Sequence, residues 1–352
     1  MAFLTPEALR DQVQSVVSKL CGGGAVRIAA MAGGASLRRY YRVEIEGGKP
    51  GSLVVMETGD PRHSDEVVKG GGPDELPFLN VQRYLARGGV AVPALYLYDP
   101  DQGLVYLEDL GDITFESRVQ PGSDAVRRRY YQLAIDELVG MQRFATAQPD
   151  PGCIAFSRGF DFDLLKWELD HFREYGLEAR GIVLAPAERQ ELERQFQQIA
   201  ERLAAAPRLL VHRDYQSRNL MVQDRGANEA PRLRVIDFQD ALLGTAAYDL
   251  VGLLRDSYVA LAPQLLDELV GYHVRRAELD ERAFRELFDL QTVQRKLKDA
   301  GRFVFLEQVK KLPGFMQHIP SSLGYVAEAL SRLPELASLR EILAGHLNDF
   351  PT

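Results

Sequence analysis

Runs of β-branched and aromatic residues bounded by Gly and Pro dominate the first third of the chain. VRIAAM, RYYRVEIE and SLVVME, separated by Gly33-Gly34 and by GGKPG, predict three strands between residues 26 and 57. An amphipathic helix precedes them, opened by Thr5 and Pro6. A charged, Gly-rich loop is expected from 58 to about 74. FLNVQRYLARGGVAVP has apolar residues at helical spacing and stops at Gly88-Gly89, and two further strands follow at LYLYD and GLVYLED. From about 113 the period is helical, as in RRRYYQLAIDELVGMQRF, DLLKWELDHFREYGL and PAERQELERQFQQIAERLAAA. A β-rich island at 209–238 interrupts it with LLVH, LMVQD and RLRVIDF, the last two joined by DRGANEAP, and helices return from 246. This order predicts an α+β chain with a small β-rich N-terminal lobe (1–107), a connector (108–112) and a large helical lobe (113–352).

Composition narrows the function classes. The chain has 352 residues, 46% of them hydrophobic, and a formal charge of 42 − 50 = −8. No Lys/Arg run is long enough to track a phosphate backbone, so nucleic acid is not expected as a partner. Cys21 and Cys153 stand alone, without metal-site or disulfide spacing, which fits a reducing cytoplasm. Neither a signal peptide nor an apolar run of roughly 18 to 20 residues is visible, so no membrane association is expected.

The chemistry concentrates in His212-Arg213-Asp214-Tyr215-Gln216-Ser217-Arg218-Asn219, followed by Asp237-Phe238. Phosphoryl transfer needs a carboxylate that takes the proton of the acceptor hydroxyl, and hard oxygen ligands that hold Mg²⁺ against the phosphates. Asp214 fits the first role, while Asn219 and Asp237 fit the second. His212 is expected to brace the loop. Gly33, Gly34, Ser36 and Arg38, in a turn between two strands, are candidates for covering phosphates, although an ordinary hairpin turn reads the same way. LVYLEDLGD, at 104–112, ends in acidic residues at the connector. The main-chain groups of Glu108, Asp109 and Leu110 are candidates for meeting an adenine, and a plain strand end is the alternative.

With these motifs in place, the chain resembles the aminoglycoside phosphotransferase superfamily, which has a two-lobed protein-kinase-like fold. The likeness is strongest to bacterial N-acetylmuramate/N-acetylglucosamine anomeric kinases of cell-wall sugar recycling. It runs through SLRRYYRV, VYLEDLGD, LVHRDYQSRNLMV, VIDFQDALLGTAAYDLVGLLRD and VQRKLKDAGRF, with Gln239 where many kinases have Gly. The resemblance implies ATP (or GTP) and Mg²⁺, an amino-sugar acceptor, Asp214 as base, Asn219 and Asp237 as metal ligands, and Asp249 as a brace of the loop. Asp240 and Arg255 become candidates for sugar contacts, and Arg255, Arg218 or Lys166 for the carboxylate of an acidic sugar. The oligomeric state is left open.

One departure stands out. The family's third-strand Lys is absent, since SLVVME offers only Met56 and Glu57, and the next helix has no central Glu. Arg38 or Arg39 is the candidate replacement. Two other readings follow: an antibiotic kinase that uses Glu168, Asp170, Asp240 and Asp256 against a polycation, and a non-catalytic nucleotide-binding protein.

Overall fold

The computed structural model describes residues 3–22, 24–31, 38–58, 75–224 and 231–351. Gly33, Gly34 and Ser36, nearly all of the 58–74 loop and most of the DRGANEAP turn lie outside the described residues. The chain forms two compact units, one of residues up to Asp112 together with Gln223–Ile236, the other of Ile113–Val222 and Asp237 onward.

The first unit opens with α1 (Pro6–Cys21), whose Thr5 hydroxyl accepts the Ala8 amide. Strands β1 (Val26–Ala30), β2 (Arg39–Ile45) and β3 (Ser52–Glu57) follow, then α2 (Pro77–Arg87), β4 (Leu95–Asp99) and β5 (Leu104–Glu108). The strands form one antiparallel sheet in the order β1-β2-β3-β5-β4. Leu9, Val13 and Val17, spaced by four along α1, pack on Val43, Leu53, Val55 and Tyr106 of the sheet. Met56 on β3 is only 1% exposed, and the neighbouring Glu57 carboxylate accepts the Leu4 amide and the Tyr41 hydroxyl. The third strand is thus built around a buried thioether and a carboxylate committed inside its own unit.

The second unit contains α3 (Phe115–Val119), α4 (Asp124–Ala147), α5 (Phe162–His171), α6 (Pro186–Ala205), β6 (Arg208–Val211) and all but the last residue of β7 (Leu220–Gln223). After β8 (Arg232–Val235), which belongs to the first unit, come β9 (Leu242–Thr245), α7 (Tyr248–Leu254), α8 (Pro263–Ala277), α9 (Glu281–Gln308), α10 (Ile319–Leu330) and α11 (Ala337–His346). Phe172, Phe196, Leu297, Leu323 and Leu339 share one core. α5 runs into a π-helical turn at Phe172–Leu177 where the sequence reads as one continuous helix. α9 approaches this turn closely: a Cβ on Gly301 would lie 2.8 Å from the Phe172 Cα. Among the described residues no helix is long and apolar enough to cross a membrane.

The α+β class expected from the sequence is observed, but β9 was not foreseen. LLGT is short, contains Gly244 and is flanked by Ala and Asp, so its strand character comes from pairing with β6, in which Val211 faces Leu242 and Leu210 faces Leu243.

Candidate active site

The loop after β6 is shaped by backbone hydrogen bonds to a buried carboxylate. Asp249, in the first turn of α7, accepts the amides of His212 (2.6 Å) and Arg213 (3.0 Å). Arg213 adopts φ 79°, a left-handed conformation that costs a non-glycine residue about 1 kcal/mol or more. Three contacts hold it there: the Asp249 bond, donation from Arg295 to its carbonyl (2.5 Å), and Glu168 3.5 Å from its own guanidinium. His212 is buried with its ring edge-on to Tyr215, in keeping with a bracing role. The following turn is fixed by Asp256, which accepts the Ser217 amide at 2.9 Å.

This scaffold brings the three sequence-predicted residues together. The Asn219 side-chain nitrogen donates to the Asp214 carbonyl (2.9 Å) and to Asp237 Oδ2 (3.2 Å). Asp237 is exposed, also has a left-handed φ (65°), and accepts from Gln239 Nε2 at 2.9 Å through Oδ1. Gln239 therefore has an identifiable task where many kinases carry Gly, namely orienting the Asp237 carboxylate. The Asn219 amide and the Asp237 carboxylate thus stand side by side. Two neighbouring hard oxygen donors suit a small divalent cation such as Mg²⁺, which prefers few protein ligands and keeps several waters.

Asp214 itself keeps a 36%-exposed side chain beside cations from α9. Arg295 Nη2 is 3.7 Å from its Oδ1, and the Arg295 guanidinium lies over the Tyr248 ring at 4.6 Å. Burial alone would raise the Asp214 pKa, but Lys298, Arg295 and Arg213 outweigh it and hold the carboxyl below its ordinary value. A buried polar chain backs this arrangement: Thr245 donates to Gln291, Gln291 to Gln294, and Gln294 to Glu168, which faces Arg213.

The other candidates are differently placed. Arg38 is half-buried ahead of β2, and Arg39 stacks over Phe3 at 3.8 Å. The Glu108 amide is already committed to the Ala94 carbonyl, and the Asp109 carboxylate to Arg42 and the Gly111 amide. Leu110 is buried. Arg218 pairs with Glu116 and stacks on Tyr258 at 3.5 Å. Asp240 accepts from Gln239 next to Asp237. Arg255 is 2% exposed and binds Glu328 through both terminal nitrogens, which makes it a structural ion pair. The acidic cluster needed against a polycation is largely consumed internally: Glu168 by Gln294 and Arg213, Asp170 by Lys166, and Asp256 by two backbone amides.

Sequence reasoning assigned no role to Arg295 and Lys298. They belong to VQRKLKDAGRF, and their spacing of three on a helix was the available signal.

Comparison with known proteins places the chain in a family. Residues 27–303 match the model of the phosphotransferase enzyme family. The chain is 30% identical to an N-acetylmuramate/N-acetylglucosamine kinase of Pseudomonas putida, over 90% of this chain and 87% of that protein. It is 32% identical to a protein of the same name from Neisseria meningitidis, over 90% and 89%. The GDP complex of aminoglycoside 2'-phosphotransferase-IIIa superposes with a TM-score of 0.60, covering 94% of this chain and all of that one; at 15% identity it shows the fold, which is protein-kinase-like. The chain is therefore a kinase that belongs to the phosphotransferase enzyme family.

Proposed function

We propose that this kinase transfers the γ-phosphoryl group of ATP to the anomeric hydroxyl of an amino sugar, N-acetylmuramate or N-acetylglucosamine, in a cytoplasmic route of cell-wall sugar recycling. The names of its relatives support the acceptor class. One observation carries the chemistry: a partly exposed carboxylate, Asp214, held ionised by neighbouring cations, in the loop whose backbone carbonyl binds the Asn219 amide that also meets Asp237.

Asp214 accepts the proton of the sugar hydroxyl as that oxygen forms a bond to the γ-phosphorus. The bond from the γ-phosphorus to the β,γ-bridging oxygen breaks, ADP departs, and the proton is later lost to solvent. Asn219 and Asp237 would hold Mg²⁺, which when bound offsets the charge of the phosphates. Main-chain groups of Asp109 and Leu110 are assigned to the adenine, and Arg38, with Gly33, Gly34 and Ser36, to the phosphates. Asp240 and Arg218 are assigned to the acceptor side.

Incubating the protein with ATP, Mg²⁺ and a panel of hexosamines, with ³¹P detection of the products, tests the reading. A sugar 1-phosphate is expected. Transfer to no hexosamine, or to a hydroxyl other than the anomeric one, refutes it.

A further inference from the structure

An acceptor that carries a carboxylate brings a second negative charge to the Asp214 neighbourhood and needs a cation with donor capacity to spare. The three side chains offered by the sequence for this are largely engaged. Arg255 is locked to Glu328, Lys166 to Asp170 (2.5 Å) and Glu193 (2.8 Å), and Arg218 to Glu116 by two nitrogens. Lys298 differs. Its side chain is 14% exposed, yet it makes no hydrogen bond among the described residues, and its nearest paired oxygen, Asp299 Oδ1, is 3.8 Å away. The other oxygen of Asp299 is taken by Lys296 at 2.7 Å.

A largely buried ammonium with such loose pairing is costly unless something completes its coordination. It stays charged: burial would lower its pKa, but Tyr248 and the carboxylates of Glu168, Asp299 and Asp214 outweigh that. Its placement also matches the substrate. Lys298 follows Arg295 by three residues on the same face of α9, roughly 4.5 Å further along the axis. Arg295 is the residue 3.7 Å from Asp214. That distance along α9 is comparable to the span of one pyranose ring from its anomeric oxygen to a substituent on its far side. Lys298 is also among the charges, with Arg295 and Arg213, that act on Asp214.

We infer that Lys298 is a specificity-determining residue that binds the carboxylate of an acidic sugar acceptor while Asp214 engages its anomeric hydroxyl. The inference rests on the acceptor class proposed above. Its test is the ratio of kcat/KM for N-acetylmuramate to kcat/KM for a neutral acceptor, measured in wild type and in Lys298→Met. The neutral acceptor is N-acetylglucosamine, or the lactamide of N-acetylmuramate if that sugar is not turned over. Any effect on Asp214 common to both acceptors cancels in the ratio. The ratio should fall about tenfold or more on loss of a charge-assisted bond, and Lys298→Arg should restore part of it. An unchanged ratio in Lys298→Met overturns the inference; should that variant not fold, Lys298→Gln carries the same comparison. A wild type that phosphorylates no amino sugar refutes the proposed acceptor instead, which separates the two failures.

Discussion

Asp214 can act as a base only while ionised, and the α9 cations are what keep it so in a site where burial favours the neutral form. Removing one of those charges raises the folded-state pKa. The acidic limb of the kcat/KM profile should therefore move to higher pH in Lys298→Met, and a profile identical to wild type would show that the two groups are not coupled. Asp237 is the more exposed half of the oxygen pair. Asp237→Asn removes a charge while keeping the shape, so turnover should fall by about 100-fold or more and need a higher Mg²⁺ concentration, read by titrating the metal at saturating ATP. At this scale the sequence was informative where the chemistry is contiguous: Asp214 and Asn219 lie five apart in one loop. It was silent on Arg295 and Lys298, which reach the same carboxylate from a helix some 80 residues downstream.

Among the elements, α9 has the most to do, since it packs in the core and lines the site at once. Gly301 lets it approach the turn after α5, and a Cβ there would press on backbone atoms, Phe172 Cα and the His171 carbonyl at 3.1 Å. Gly301→Ala should destabilise by roughly 1–3 kcal/mol despite its better helix propensity, seen as a lower Tm. α8 contributes a buried histidine: His273 stacks on Phe284 at 4.9 Å and, among the described residues, has no hydrogen-bond partner on either ring nitrogen. Burial pushes its pKa down to about 4. Between that value and the ordinary 6.5 the unfolded chain binds the extra proton, so stability rises with pH across this window and is lost on acidification, by up to about 3 kcal/mol. Replacing His273 with Phe should flatten that part of the stability profile, and an unaltered slope would contradict it. Long periodic helices and β-rich segments were readable because their patterns repeat. The π-helical turn and β9 were not, since each depends on a partner: the α9 approach in one case, β6 in the other.

Over the whole molecule, the two compact units are not consecutive in sequence. Arg234 explains much of why Gln223–Ile236 joins the first: its guanidinium donates to the Ala91 and Val92 carbonyls and pairs with Glu108. Such tertiary capture by one arginine leaves no periodic trace in a sequence, where the stretch reads simply as part of a β-rich island in the helical region. Arg234→Met in the full chain would strand those acceptors and should cost the first unit roughly 3 kcal/mol, measured by denaturant unfolding. Phosphoryl transfer by this chain requires Asp214 to act on the acceptor hydroxyl and not merely in loop structure. The most direct measurement is steady-state turnover of Asp214→Asn with ATP, Mg²⁺ and N-acetylmuramate, alongside its nucleotide affinity. Turnover at least about 100-fold below wild type, with nucleotide affinity essentially retained, is the predicted result; an Asp214→Asn protein that turns over at the wild-type rate would contradict it.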